Sequence, residues 1–140
     1  NEALQIQIRP SGFYTRKSQT IQNVLTWAQK YQFSIEKIGA LPTLRLRKEL
    51  LALVGIGPET ADYLMMYAFD HAGFIADKYS QRIFEWMGHP LPSKYEQAKK
   101  EVEAAINLTD EEWKNFHAMI VNSGKEIKTK EEFVNEYINS

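Results

Sequence analysis

The sequence predicts an all-α fold of about seven helices in a single domain, residues 1–140, and three observations carry that expectation. Apolar residues recur at three- and four-residue spacing in segment after segment. Three Ser/Thr residues are each followed three positions later by Glu, the pattern of a capped helix start: Ser93 with Glu96, Thr109 with Glu112, and Thr129 with Glu132. Beyond the leading residues 4–9, no stretch alternates apolar and polar residues as a half-buried strand would.

Taken in order, residues 6–13 form a leading segment in which Arg9-Pro10-Ser11-Gly12 is turn chemistry. Thr15 is placed to cap the first helix, whose apolar face is Ile21, Val24, Leu25 and Ala28. A short helical turn over residues 34–38 leads through Gly39-Ala40-Leu41-Pro42 to a helix that Thr43 caps and that carries Leu44, Leu46, Leu50, Leu51 and Leu53. After a tight turn, Ala61, Leu64, Met65 and Ala68 define the next face. Tyr63, Met66 and Tyr67 make this helix apolar almost all round, so it is expected to be largely buried.

Residues 70–76 contain Gly73 and break the pattern. Asp77 then precedes Tyr79, Ile83, Phe84 and Met87, a face that ends at Gly88, Pro90 and Pro92. The three capping boxes open the remaining helices. Their faces are Val102, Ala105 and Ile106; Trp113, Phe116, Ile120 and Val121, closed by Gly124; and Phe133, Tyr137 and Ile138.

Composition narrows the function. A hydrophobic fraction of 44% and a charged fraction of 25% are ordinary for a globular chain that buries roughly two-thirds of its unfolded surface. No apolar run approaches membrane-spanning length, so no membrane is expected as partner. With no cysteine the chain offers neither a disulfide scaffold, nor a thiolate zinc site, nor ligands for an iron–sulfur cluster. The three histidines His71, His89 and His117 show no ligand spacing with each other or with paired carboxylates, so no metal is expected. The absence of cysteine and of a signal-like beginning points to a cytoplasmic protein. A net charge of −1 excludes a broad basic face, so any nucleic-acid contact has to be local.

The turn Gly55-Ile56-Gly57 is the candidate for such a contact. A helix ends and another begins within a few residues, and Pro58 suits a first helical position because its missing N–H would have no partner there. The N–H groups around Gly57 and Thr60 then face one way at a helix N-terminus, with Ile56 at the exposed tip, an arrangement that favours phosphate. On spacing alone, a tight linker in a helical bundle explains the same residues.

Three segments together carry a family resemblance. Ile8-Arg9-Pro10-Ser11-Gly12-Phe13-Tyr14-Thr15-Arg16-Lys17-Ser18, the turn within residues 50–62, and Ile75-Ala76-Asp77-Lys78-Tyr79-Ser80 resemble, in order and spacing, the helix-hairpin-helix DNA glycosylases of the endonuclease III superfamily. The resemblance is closest to the monofunctional 3-methyladenine glycosylases, and this chain corresponds to their C-terminal two-thirds, a partial helical barrel and an expected fragment. It implies base-excision repair in a bacterial, nucleoid-associated setting. The substrate would be double-stranded DNA with a damaged base, and no cofactor would be needed.

Bifunctional members use a hairpin lysine as amine nucleophile. Glu59 stands at that position here and cannot form a Schiff base, so hydrolysis without strand cleavage is expected. The resemblance assigns phosphate binding to Gly55, Ile56, Gly57 and Thr60, and the catalytic carboxylate to Asp77, where it would stabilise positive charge developing on the sugar. An aspartate just before an apolar-periodic stretch is also an ordinary helix cap, and one residue can do both.

Lys48, Lys78 and Arg82 are candidates for backbone contacts, and Tyr79 for lining a base pocket. Trp27, Tyr63, Tyr67, Phe84, Trp86 and Trp113 are weaker stacking candidates and mostly core. Lys125 is read as a helix C-terminal charge. A barrel without its first helices exposes apolar surface, which favours self-association and weak activity of the short chain. The alternative reading is a non-catalytic helix-hairpin-helix module that binds DNA backbone.

Overall fold

A computed structural model describes residues 12–138, with side chains from residue 16 onward. Among these residues all regular structure is helical. The helices are α1 (Gly12–Gln29), α2 (Ile35–Gly39), α3 (Thr43–Leu51), α4 (Pro58–Tyr67), α5 (Lys78–Trp86), α6 (Tyr95–Ala105), α7 (Asp110–Glu126) and α8 (Lys130–Phe133), followed by a π-helical turn, Val134–Ile138. The all-α expectation holds. No described helix is long and apolar enough to cross a membrane. Most of the leading segment, with its Arg9-Pro10-Ser11 turn, lies outside the described residues. Gly12 and Thr15 already belong to α1, so Thr15 is not its cap.

The chain divides into two compact units with the boundary between His71 and Ala72. In the first, the core is Trp27, Ile38, Leu46, Leu50, Ile56, Ala61 and Met65. The buried edge of α1 is Ser18, Val24, Trp27 and Ala28, rather than the predicted face, for Ile21 and Leu25 are exposed. Leu44, expected on the apolar face of α3, is 85% exposed, while Leu46 and Leu50 are fully buried. Leu51 and Leu53 pack, partly buried, against the same core, so Leu44 alone of the five leucines faces away from it. Pro42, not Thr43, is the residue before α3; the Thr43 hydroxyl instead meets His71 Nδ1 at 2.8 Å, and the opposite ring nitrogen lies 2.6 Å from the Gly39 carbonyl.

The turn between α3 and α4 is held from both sides. Across it, the Arg47 guanidinium donates to both oxygens of Asp62, at 2.8 and 3.2 Å, and Asp62 is buried. Such a fork fixes two helices in angle as well as distance. From α1, Asn23 Nδ2 donates to the Val54 carbonyl at 3.0 Å. Gly55 has φ +97°, and a Cβ there would lie 2.1 Å from Thr20 Oγ1. Only glycine meets both conditions.

In the second unit the buried extended segment Phe74, Ile75 and Ala76 leads into α5. Its backbone is satisfied by side chains. Glu103 on α6 accepts from the Phe74 N–H at 2.8 Å, Lys99 donates to the Phe74 carbonyl at 3.0 Å, and Ser80 Oγ donates to the Ile75 carbonyl at 3.0 Å. Burial of a non-helical segment requires this full accounting. The Phe74 ring packs among Phe84, Trp113 and Phe116.

The capping boxes differ in outcome. Thr109 and Glu112 form the complete reciprocal box. Thr129 accepts from the Glu132 N–H, but the Glu132 carboxylate reaches the Lys128 N–H. Ser93 caps nothing, since α6 starts one residue later than the pattern implies and Lys94 precedes it. Gly124 does not close α7, which continues to Glu126; its missing side chain instead admits Tyr79 of α5, whose ring and Cβ would lie 2.5–2.9 Å from an added Cβ.

Gly55→Ala should destabilise the protein by about 2–3 kcal/mol, summing positive-φ strain and steric overlap. Denaturant titration of Gly55→Ala, Thr20→Ala and the double variant checks the attribution. The double should recover the overlap part of the loss and leave the backbone part.

Candidate functional site

The hairpin places its residues by simple rules. Pro58 is the first residue of α4 and Gly57 its cap, with no side chain to occupy the first-turn amides. Those amides have no partner within a helix, and the dipole favours an anion beside them. Gly55, Gly57 and Thr60 are all exposed. No atom lies within 4 Å of where a Cβ of Gly57 would stand, so the approach to the amides is open.

Ile56 departs from expectation. Its side chain is only 8% exposed and belongs to the core with Leu50 and Met65, and Val54 (78% exposed) is the apolar residue that faces outward. Its N–H donates to the Leu53 carbonyl at 3.1 Å, so neither the side chain nor the amide of Ile56 is turned to a phosphate, and the expected contact is corrected to the neighbouring Gly57 and Thr60 amides. Glu59 is exposed on the first turn of α4, and Lys48 is exposed near the end of α3.

In the second unit Asp77 caps α5. Its backbone is extended (φ −79°, ψ 178°), its Oδ1 accepts from the Ser80 N–H at 2.8 Å, and its carbonyl accepts from the Gln81 N–H at 3.0 Å. The other carboxylate oxygen lies 3.3 Å from His117 Nε2 on α7. Asp77 is 4% exposed and His117 5%. Burial pushes the carboxyl upward, but the hydrogen bonds from His117 and Ser80 outweigh it and hold Asp77 below the ordinary aspartate value. The result is a desolvated, ionised carboxylate with both oxygens oriented.

His117 was not legible as part of this site. It lies 40 positions from Asp77 in the chain, and the only local signal was its polarity among the buried residues Trp113 and Ile120 of α7.

Lys78 and Tyr79 follow Asp77 in the first turn of α5. Lys78 is exposed, with Nζ 5.1 Å from the Tyr79 ring centre. Tyr79 is half-buried, packed on Gly124 and flanked by the Arg82 guanidinium at 5.5 Å. Arg82 also lies over Trp86 and donates to the Gly124 carbonyl at 2.8 Å, which closes the C-terminal end of α7. Trp27, Phe84 and Trp113 are core residues. Lys125 is exposed in the last turn of α7, the place expected for a helix C-terminal charge. Among the described residues no group of three or more His, Asp or Glu could hold a metal.

These features define a class, an all-helical protein with a glycine-rich hairpin open at its first-turn amides and a buried aspartate capping a later helix. Comparison with known proteins narrows it. The chain is 35% identical over 126 residues to a Methanocaldococcus jannaschii protein named as a candidate DNA repair glycosylase, a match covering 88% of this chain and 57% of that protein. It is 30% identical over 128 residues to endonuclease III homolog 2 of Arabidopsis thaliana chloroplasts, covering 87% of this chain and 31% of that protein. One relative is named for DNA repair glycosylase and the other for endonuclease III, and the chain is similar to both. The chain spans about half the length of the first relative and under a third of the second. No family model matches it, and no solved structure does.

Because the folded carboxyl of Asp77 titrates below its unfolded value near 3.9, its contribution to stability is complete above that value and lost as pH falls through the folded one. Asn is nearly as good a cap as Asp. The stability advantage of the wild type over Asp77→Asn should accordingly be constant from about pH 7 to 5 and shrink toward pH 3, as read from denaturant midpoints.

Proposed function

We propose that the protein to which this chain belongs is a monofunctional DNA glycosylase of base-excision repair. It hydrolyses the N-glycosidic bond of an alkylated base, such as 3-methyladenine, in duplex DNA. The observation that carries this reading is Asp77, a buried carboxylate kept ionised at a helix start, in a chain similar to proteins named for DNA repair.

The chemistry follows from the charges. An alkylated purine is already cationic, so its bond to C1′ is weak, and it leaves as a neutral base with the bonding electron pair. Positive charge then develops on the sugar. A preorganised anion beside C1′ stabilises that charge with no reorganisation of its own, and the bond is completed by water, which loses a proton. Extrusion of the nucleotide must come first, and binding energy from the DNA backbone supplies its cost. The amides of Gly57 and Thr60, held by the turn at Gly55 and Ile56, serve that purpose, with Lys48 and Lys78 as further backbone contacts and Tyr79 beside the base. Glu59 offers no amine, so no covalent sugar intermediate forms and the strand stays intact. The reaction uses no metal and no redox cofactor.

One observation favours a second reading. At 4% exposure, Asp77 satisfies every requirement of a purely structural cap, which would leave a non-catalytic module that grips DNA backbone through the hairpin.

In the full-length protein, Asp77→Asn should bind methylated duplex within a factor of about three of wild type while single-turnover base release falls by at least about a hundredfold. Unchanged release would leave only the structural cap. Gly57→Val tests the hairpin separately. Its site is open and its φ of −91° suits any residue, so folding should be unaffected while affinity falls for all duplex sequences alike. Loss confined to one base would contradict phosphate binding.

A further inference from the structure

The group that faces the second oxygen of Asp77 is unusual for a structural cap. A helix cap needs one acceptor for one first-turn N–H, and the Ser80 N–H already takes it. Yet His117, from the middle of α7, is buried to 5% exposure with Nε2 turned to Asp77 Oδ2. A buried imidazole loses the solvation of both its nitrogens, a cost that a leucine at the same place would not incur. The packing around it is arranged to bring α7 close. Gly124 lets α5 approach at Tyr79, and Arg82 of α5 grasps the α7 carbonyl at that same glycine.

We propose that His117 is a positioning residue for Asp77. It donates its Nε2–H to Oδ2 so that the carboxylate, already held at Oδ1, cannot turn about its own bond. This rests on the glycosylase reading of Asp77.

The donation asks for no permanent cation at this place. An ionised carboxylate only accepts, so Nε2 is the protonated nitrogen and the ring need carry no charge. A lysine or arginine would orient the carboxylate equally well but would cancel the field that a cationic sugar has to feel. At 3.3 Å the bond is at the long end of the range, enough to orient the oxygen while leaving its charge available. Removing the donor frees the carboxylate to rotate or to pair elsewhere, and misplacement of a reacting group by about 1 Å costs on the order of a hundredfold in rate.

The test uses the full-length protein, duplex DNA treated with dimethyl sulfate, and chromatographic measurement of released methylated purines. His117→Ala should lower the single-turnover rate by about 10- to 100-fold with duplex affinity unchanged. His117→Gln, whose amide N–H can occupy the place of Nε2, should recover most of that loss. Nitrogen NMR of the imidazole should find the proton on Nε2 in the wild type and a mixed tautomer in Asp77→Asn. A His117→Ala protein with wild-type rate, or a His117→Gln protein no better than His117→Ala, overturns the inference while the catalytic role of Asp77 stands. Retained release by Asp77→Asn, or no release by the wild type, overturns both. If His117→Ala does not fold, the wild-type tautomer decides: a proton on Nδ1 alone refutes the donation.

Discussion

An anion removed from water survives only if fixed donors replace its solvation, and the second unit is built around one such anion. Ser80 and His117 each take one oxygen of Asp77, and together they outweigh the burial that pushes its carboxyl upward. Each neighbouring feature serves that placement. The extended Phe74–Ile75–Ala76 segment could not lie buried before Asp77 unless Lys99, Glu103 and Ser80 satisfied its backbone. His117 could not reach Asp77 unless α7 packed tightly on α5, which Gly124 permits by having no side chain.

The first unit solves a different problem, the exposure of amides. A turn that offers amides to an anion must leave them unpaired and still be rigid. Here rigidity is supplied from outside the turn, by the Arg47–Asp62 fork between its two helices and by Thr20 and Asn23 of α1 against Gly55 and Val54. Ile56 contributes by facing inward, an anchor for the loop and not its tip. The open face at Gly57 is what remains once those anchors are satisfied.

What could be read from the sequence follows from the range of the forces involved. Pro58 at the first position of α4, Asp77 as the cap of α5, and the Thr109–Glu112 box depend on neighbours within four residues, and all three occur. Ser93 failed although its motif is as good, because the helix began a residue later and nothing local forbids that. Periodicity found the helices but not always their inner faces. Leu44 and Leu25 share spacing with buried residues, and which of several leucines points inward depends on partners that are distant in the chain. Gly124 looked like a helix end, since composition cannot distinguish a terminus from a close approach of two helices. For the same reason Asp77 was legible and His117 was not: a cap is local, whereas a hydrogen bond spanning 40 positions belongs to the fold.

The glycosylase reading requires two contacts, backbone phosphates at the hairpin amides and a cationic sugar at Asp77. A crystal structure of the full-length protein on a duplex carrying a cationic pyrrolidine analogue of the abasic sugar tests it directly. The account predicts the pyrrolidine nitrogen within ion-pair distance of Asp77, with His117 still on the far oxygen, and phosphate oxygens on the N–H groups of Gly57 and Thr60. An analogue bound away from Asp77, or a duplex that leaves those amides uncontacted, would contradict it.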